Sequence, residues 1–228
     1  MKCKVRMIAF DLDGTLLTTD KRLTDETRRT LEQAAKKGIL LVPATGRPLT
    51  GMPAEVLGIP GVRYAVTANG ARVVSTEDGK ILREKLISVE KARKVLDIYG
   101  EYDTLREIYY DGRGYVEARQ IEELDHFVPD PNMAEYMRST RTGVPDLMEK
   151  FCQENRAMDK VQAFFACARE KEQAFWRIRE IEGVGATGAL PYNIEVNAGG
   201  INKGEALLWL GGAGDQERRD PGIWRRSQ

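Results

Sequence analysis

Val5-Arg6-Met7-Ile8-Ala9-Phe10-Asp11-Leu12-Asp13-Gly14-Thr15 is an apolar, β-prone run that stops at a carboxylate and turns. It reads as a buried strand followed by a loop. The same grammar recurs downstream. Thr24 is placed to cap a helix from about Asp25 to Lys37, with Leu31, Ala34 and Ala35 inward and Gly38 as its stop. Ile39 to Val42 then forms a second buried strand ending in Pro43-Ala44-Thr45-Gly46-Arg47, and Tyr64 to Thr67 a third ending in Ala68-Asn69-Gly70. Strand–helix–strand alternation with near-continuous apolar strands predicts an α/β fold on a parallel sheet covered on both faces.

The pattern changes after about Leu86. Val89 to Tyr99 reads as a helix, and Leu105 to Ala118 alternates around an Asp111-Gly112 hairpin turn. Ile121 to Phe127 reads as a short helix and the Pro-, Asn- and Gly-rich residues 128–145 as a loop. Helices follow at Asp146 to Glu154 and Lys171 to Ile181, flanking a strand at Val161 to Ala166. This mixture predicts an α+β insertion. Asn193 to Val196 is then expected to return as a final strand, with a helix beginning at Lys203.

Three polar clusters close these segments: Asp11-Leu12-Asp13-Gly14-Thr15, Ala44-Thr45-Gly46-Arg47 and Asn202-Lys203-Gly204. Ligands of open parallel sheets bind outside the carboxyl ends of the strands, so the first two clusters are expected to share a crevice that Lys203 reaches. The residue types suit phosphoryl transfer. Asp11 is ionised at neutral pH and needs no base to act as a nucleophile. Asp13, beside another negative charge, suits a general acid and later a base. Gly14 lets backbone N–H groups approach a phosphate. The Thr45 hydroxyl and Gly46 N–H suit the transferring oxygens, and Lys203 supplies a cation where charge accumulates. Magnesium takes one or two carboxylates and keeps several waters. Asp11 and the Asp13 carbonyl would provide part of that set.

Taken together, these residues resemble the haloacid dehalogenase superfamily of phosphatases, and more narrowly its Cof-type branch. Asp11 and Asp13 match the first motif, Thr45 the second and Lys203 the third; Asn69-Gly70-Ala71 and Gly200-Ile201-Asn202-Lys203-Gly204 are also similar. The resemblance implies a Rossmann-like core of residues 1–86 and 189–228 and an inserted α+β cap of the C2 type at 87–188. It implies Mg2+-dependent hydrolysis of a small phosphorylated metabolite, such as a sugar phosphate, through an aspartyl phosphate. A phosphomutase or phosphotransferase on the same core, or a non-catalytic phosphate-binding remnant, is the alternative. Asp11, Asp13, Thr45 and Lys203 are the expected catalytic residues, with Asp11 and Asp13 on the metal. Leu12, Gly14, Gly46, Arg47, Asn69 and Asn202 are expected to bind substrate.

The sequence departs from that pattern near its end. The family's fourth motif, GDxxND, is absent, and Gly214-Asp215 follows Lys203 too closely to replace it. Read through the genetic code with one base skipped, Arg218 to Gln228 can encode a run containing Gly-Asp-Gly-Val-Asn-Asp. A single-base frameshift between about residues 208 and 213 would account for this. Gly211 to Gln228 is then expected to be an irregular tail, the sheet to lack a strand, and turnover to be impaired.

Composition narrows the alternatives. Lys plus Arg and Asp plus Glu are both 35, so no global field recruits nucleic acid or an anionic membrane. Cys3, Cys152 and Cys167 form no CxxC pair, which fits a reducing, cytoplasmic setting. The run Met7 to Phe10 is too short for a signal peptide, and no stretch approaches membrane-spanning length. His126 is the only histidine, which excludes a histidine-rich metal centre and suits a structural or surface role. Gly183-Val184-Gly185-Ala186-Thr187-Gly188 fits GxGxxG, but its setting suits a glycine-rich turn better than a dinucleotide site.

Overall fold

The computed structural model describes residues 5–188 and 190–216. The chain divides into two compact units. The first comprises residues up to Gly46, Pro53–Glu84 and the chain from Asn202 onward; the second comprises Arg47–Met52 and Lys85–Ile201.

In the first unit, β1 (Met7–Phe10) and β2 (Leu40–Pro43) pair in parallel, Met7 opposite Leu40 and Phe10 opposite Pro43. Parallel neighbours need a crossover, supplied by α1 (Asp25–Lys36). Thr24 caps it as expected, its hydroxyl accepting from the Thr27 N–H at 3.2 Å. After the short α2 (Ala54–Leu57), β3 (Tyr64–Thr67) joins β2 through the parallel bridges Leu41–Val62 and Ala44–Val66. All four β3 residues are buried, as are Leu41, Val42 and Pro43. That burial explains the unbroken apolar runs. β4 (Arg72–Ser75) and β5 (Ile81–Glu84) then extend the sheet antiparallel, a hairpin the sequence pattern did not reveal. Leu31 of α1 packs with Leu41, Ile59 and Val62. The other face, with Val42, Ala44, Val66 and Val73, is covered by Ala206 and Leu210 of the last helix.

The second unit carries the other elements up to Ile201: α3 (Val89–Gly100), β6 (Thr104–Tyr110), β7 (Arg113–Glu117), α4 (Ala118–Glu122), α5 (Leu124–Phe127), α6 (Pro131–Thr140), β8 (Arg141–Val144), α7 (Leu147–Glu154), β9 (Lys160–Phe165), α8 (Ala168–Arg179), β10 (Val184–Thr187) and β11 (Asn193–Ala198). Its six-stranded sheet has the order β10-β11-β9-β6-β7-β8. Only β7–β8 is parallel among these pairs. Asp111 and Gly112 turn β6 into β7 with φ of 49° and 72°, the left-handed pair that a tight hairpin requires. Helices α3, α7 and α8 pack one apolar cluster with Ile108, Val161, Phe165 and Ile194; α5 and α6 pack another with Leu105, Val116 and Phe164.

Four expectations change. Residues 128–145 are not a loop. Asp130 caps α6 by accepting from the Asn132 N–H at 3.0 Å, Pro131 occupies the first turn, and β8 follows. The run expected as one helix at 121–127 is split between α4 and α5. Asn193 to Val196 does not return to the first sheet. It pairs antiparallel with β9, so the boundary expected at 188/189 falls after Ile201. Finally, α9 (Lys203–Gln216) carries helix through residues expected to begin an irregular tail; residues 217–228 lie outside the described residues, as does Cys3.

The GxGxxG stretch is occupied by β10, with its turn at Gly183. His126 sits exposed on α5, its Nε2 2.7 Å from Asp103 Oδ2. Cys152 and Cys167 are unbridged. No helix among the described residues is long and apolar enough to cross a membrane.

Candidate active site

The carboxyl ends of β1, β2 and β3 are tied together by main-chain bonds. The Ala44 N–H donates to Phe10 O at 2.8 Å, the Thr45 N–H to Val66 O at 2.9 Å, and the Asn69 N–H to Thr45 O at 3.0 Å. Asp11, Thr45 and Asn69 therefore cluster at one end of the sheet, as ligand-binding residues do in open parallel sheets.

After β1 the chain makes a wide turn over Leu12–Leu16, with the Leu16 N–H donating to Asp11 O at 3.3 Å and the Leu17 N–H to Leu12 O at 2.9 Å. Leu12 is fully buried and anchors the turn. Gly14 takes φ of 71° with open space where a Cβ would stand, so backbone conformation rather than crowding selects glycine there.

Asp11 Oδ1 accepts from the Leu12 N–H at 2.8 Å and pairs with Lys203 Nζ at 3.0 Å. The Asp11 and Lys203 side chains are 40% and 34% exposed, so the pair is open to a ligand. Lys203 is held at the first turn of α9. Asn202 Oδ1 caps that helix by accepting from the Glu205 N–H at 2.8 Å. The loop after β3 also fixes this end: Ala68, Asn69 and Gly70 take successive φ of 47°, 62° and 104°. A Cβ on Gly70 would lie 2.6 Å from Asn202 O, so only glycine allows the helix start to approach this closely.

Of the sequence-predicted residues, Asp11, Leu12, Asp13, Gly14, Thr45, Gly46, Asn69, Asn202 and Lys203 all fall in the first unit. Two details differ from expectation. Asp13 is met by a cation, with Lys21 Nζ 2.9 Å from its Oδ1, in addition to the negative neighbour inferred from sequence. Arg47 falls in the second unit, where its Nη1 donates to Gly51 O at 3.0 Å and its guanidinium stacks 4.2 Å from the Tyr136 ring centroid. Sequence reasoning missed Lys21; a lysine in a polar turn carries no signal that separates it from a solvated one. Among the described residues no group of three His, Cys, Asp or Glu could hold a metal ion.

A parallel sheet with an ion pair at the carboxyl ends of its strands is the place where open α/β folds bind their ligands. The chain belongs to the haloacid dehalogenase-like hydrolase family, whose family model matches residues 8–212. It is 29% identical over 211 residues to the HMP-PP phosphatase of Escherichia fergusonii, covering 90% of this chain and 71% of that protein. It is 34% identical over 121 residues to the HMP-PP phosphatase of Enterobacter sp. (strain 638), covering 53% of this chain but only 44% of that relative. Among solved structures, a haloacid dehalogenase-like hydrolase from Bacteroides thetaiotaomicron superposes with a TM-score of 0.75 at 21% identity, over 92% of this chain and 78% of that one. One from B. subtilis gives 0.76 at 23%, over 92% and 79%. Likeness at that identity shows the fold, a Rossmann-like parallel sheet with an α+β insertion.

Proposed function

We propose that this chain carries the reaction centre of a phosphatase acting on small phosphate monoesters, with Asp11 as its nucleophile. The observation that carries the reading is the 3.0 Å pair between Asp11 Oδ1 and Lys203 Nζ at the carboxyl ends of parallel strands. The Leu12 N–H and the Lys203 ammonium both meet Oδ1 of Asp11, so Oδ2 is taken as the atom that attacks phosphorus. Attack forms an aspartyl phosphate and expels the alcohol, to which Asp13 gives a proton. Asp13 then takes a proton from water, which attacks the same phosphorus, releases inorganic phosphate and restores Asp11. Lys203 offsets the charge on the transferring oxygens, while backbone N–H groups around Gly14 and Gly46 and the Thr45 hydroxyl receive them. Leu12 and Asn202 hold the cradle in shape, one by burial and the other by capping α9. The second unit is read as the cap that selects the leaving group.

The donors at this site fit magnesium: the Asp11 carboxylate and the Asp13 main-chain carbonyl are hard oxygens, and the ion takes few carboxylates. When bound it would supply further positive charge to the phosphoryl oxygens. Weak turnover by this chain is part of the same reading, because the GDxxND pattern is absent from the sequence after Lys203. The HMP-PP phosphatase relatives favour a small phosphorylated metabolite as substrate.

Hydrolysis of p-nitrophenyl phosphate with magnesium tests this. Turnover is expected to be low, and Asp11→Asn to remove it by at least ~1,000-fold, as loss of a nucleophile does. Turnover that survives Asp11→Asn would reject Asp11 as nucleophile. Robust turnover that Asp11→Asn abolishes would reject only the weakness.

A further inference from the structure

The turn that follows the Leu12–Leu16 segment holds a residue the reaction above does not use. Lys21 reaches Asp13 across 2.9 Å, and its own backbone takes φ of 60°. The turn is closed by the Lys21 N–H donating to Thr18 O and the Thr18 N–H donating to Arg22 O, both at 2.9 Å. That left-handed conformation is unfavourable for a residue with a long side chain and is usually filled by glycine, asparagine or aspartate. The ion pair does not repay it through stability, because side chains 24% and 36% exposed gain little from pairing. Neither backbone preference nor fold stability accounts for lysine here. Its reach to Asp13 does, and retained local strain beside a reaction centre points to a role there.

We propose that Lys21 is a positioning residue that holds the Asp13 carboxylate in one rotamer for its work as acid and base. This rests on the reading of Asp13 given above. The arrangement gives each carboxylate its own cation: Lys203 serves Asp11 and Lys21 serves Asp13. Two acids two positions apart then need not share one counter-charge, and Asp13 stays aimed as the Lys203 ammonium turns to incoming phosphate.

Three-bond couplings about Asp13 χ1, measured on isotopically labelled chain, test the contact without requiring turnover. A single rotamer is expected in the parent, averaging in Lys21→Met at an unchanged melting temperature, and a single rotamer again in Lys21→Arg. Kinetics supply the second arm. Glycerol 2-phosphate has a poor leaving group that needs a proton, so its kcat/KM, which reads the step that forms the aspartyl phosphate, should fall about tenfold or more in Lys21→Met, whereas that of p-nitrophenyl phosphate should lose less than about threefold. Lys21→Arg should regain most of the difference. An unaltered Asp13 rotamer in Lys21→Met overturns the proposal. So does a rise in KM that is equal for both esters, because Lys21 would then bind phosphate itself. Failure of the phosphatase reading has a separate signature, turnover that Asp11→Asn leaves intact; the rotamer measurement then decides the Lys21 contact alone.

Discussion

At the scale of single residues, the Asp11–Lys203 pair is 40% exposed on the aspartate and 34% on the lysine. A pair so placed adds about 1 kcal/mol or less to stability. The same ammonium beside a phosphoryl group gathering charge is worth roughly 3–4 kcal/mol. Lys203→Met is therefore expected to lower kcat by about 100- to 1,000-fold while barely moving the melting temperature, with steady-state kinetics and calorimetry as the paired measurements. Asp11 and Thr45 could be placed from sequence because each follows an abrupt end of apolar patterning, where a parallel sheet presents its ligands; Lys203 could be placed only through the motif it matches, since the strand before it belongs to the second sheet. Lys21 was not legible, because its meaning depends on a turn that folds it back onto Asp13. Nor was the setting of Arg47, whose guanidinium is claimed by Gly51 and Tyr136.

At the scale of elements, the second sheet conceals charge that no hydropathy pattern announces. Glu107 of β6 is fully buried and its Oε1 lies 2.6 Å from Arg141 Nε, while its Oε2 accepts from the Tyr109 hydroxyl at 2.6 Å. Burial is the main cause that pushes the Tyr109 phenol well above its usual range. Removing one side of such a pair strands the other without solvent. Glu107→Ala is expected to destabilise the second unit by about 3–5 kcal/mol in urea melts, and Glu107→Leu with Arg141→Met to cost clearly less. Equal losses in the two variants would contradict this account. The same unit shows where element reading failed. α6 was hidden because Asp130-Pro131 reads as a loop by composition although it is a cap followed by a favourable first residue. β11 was assigned to the wrong sheet because local pattern gives a strand but not its partner. In the first unit the parallel strands were legible, since burial on both faces writes itself as an unbroken apolar run.

At the scale of the whole chain, β1 is bonded to β2 along one edge, and no strand among the described residues pairs with its other edge. On α9, Leu208 is 77% exposed and Trp209 37%. Unpaired strand edges and exposed large side chains favour association. Leu208→Glu is expected to weaken self-association about tenfold or more, since burying a leucine is worth roughly 1.5–3 kcal/mol, as read by light scattering across a dilution series. An unchanged scattering profile would show that this face is not where copies meet.

The close approach of Gly70 to Asn202 sets an order of events during synthesis. Asp11 is made before the second unit, but the helix start that bears Lys203 follows all of Lys85–Ile201. At about 5–20 residues per second, Asp11 waits roughly 10–40 s for Lys203. Through that interval the second unit can complete its own sheet, since β11 is made before α9. The Asp11–Lys203 pair thus closes only after the second unit has been made, and a nascent chain carries this aspartate for that interval without the lysine.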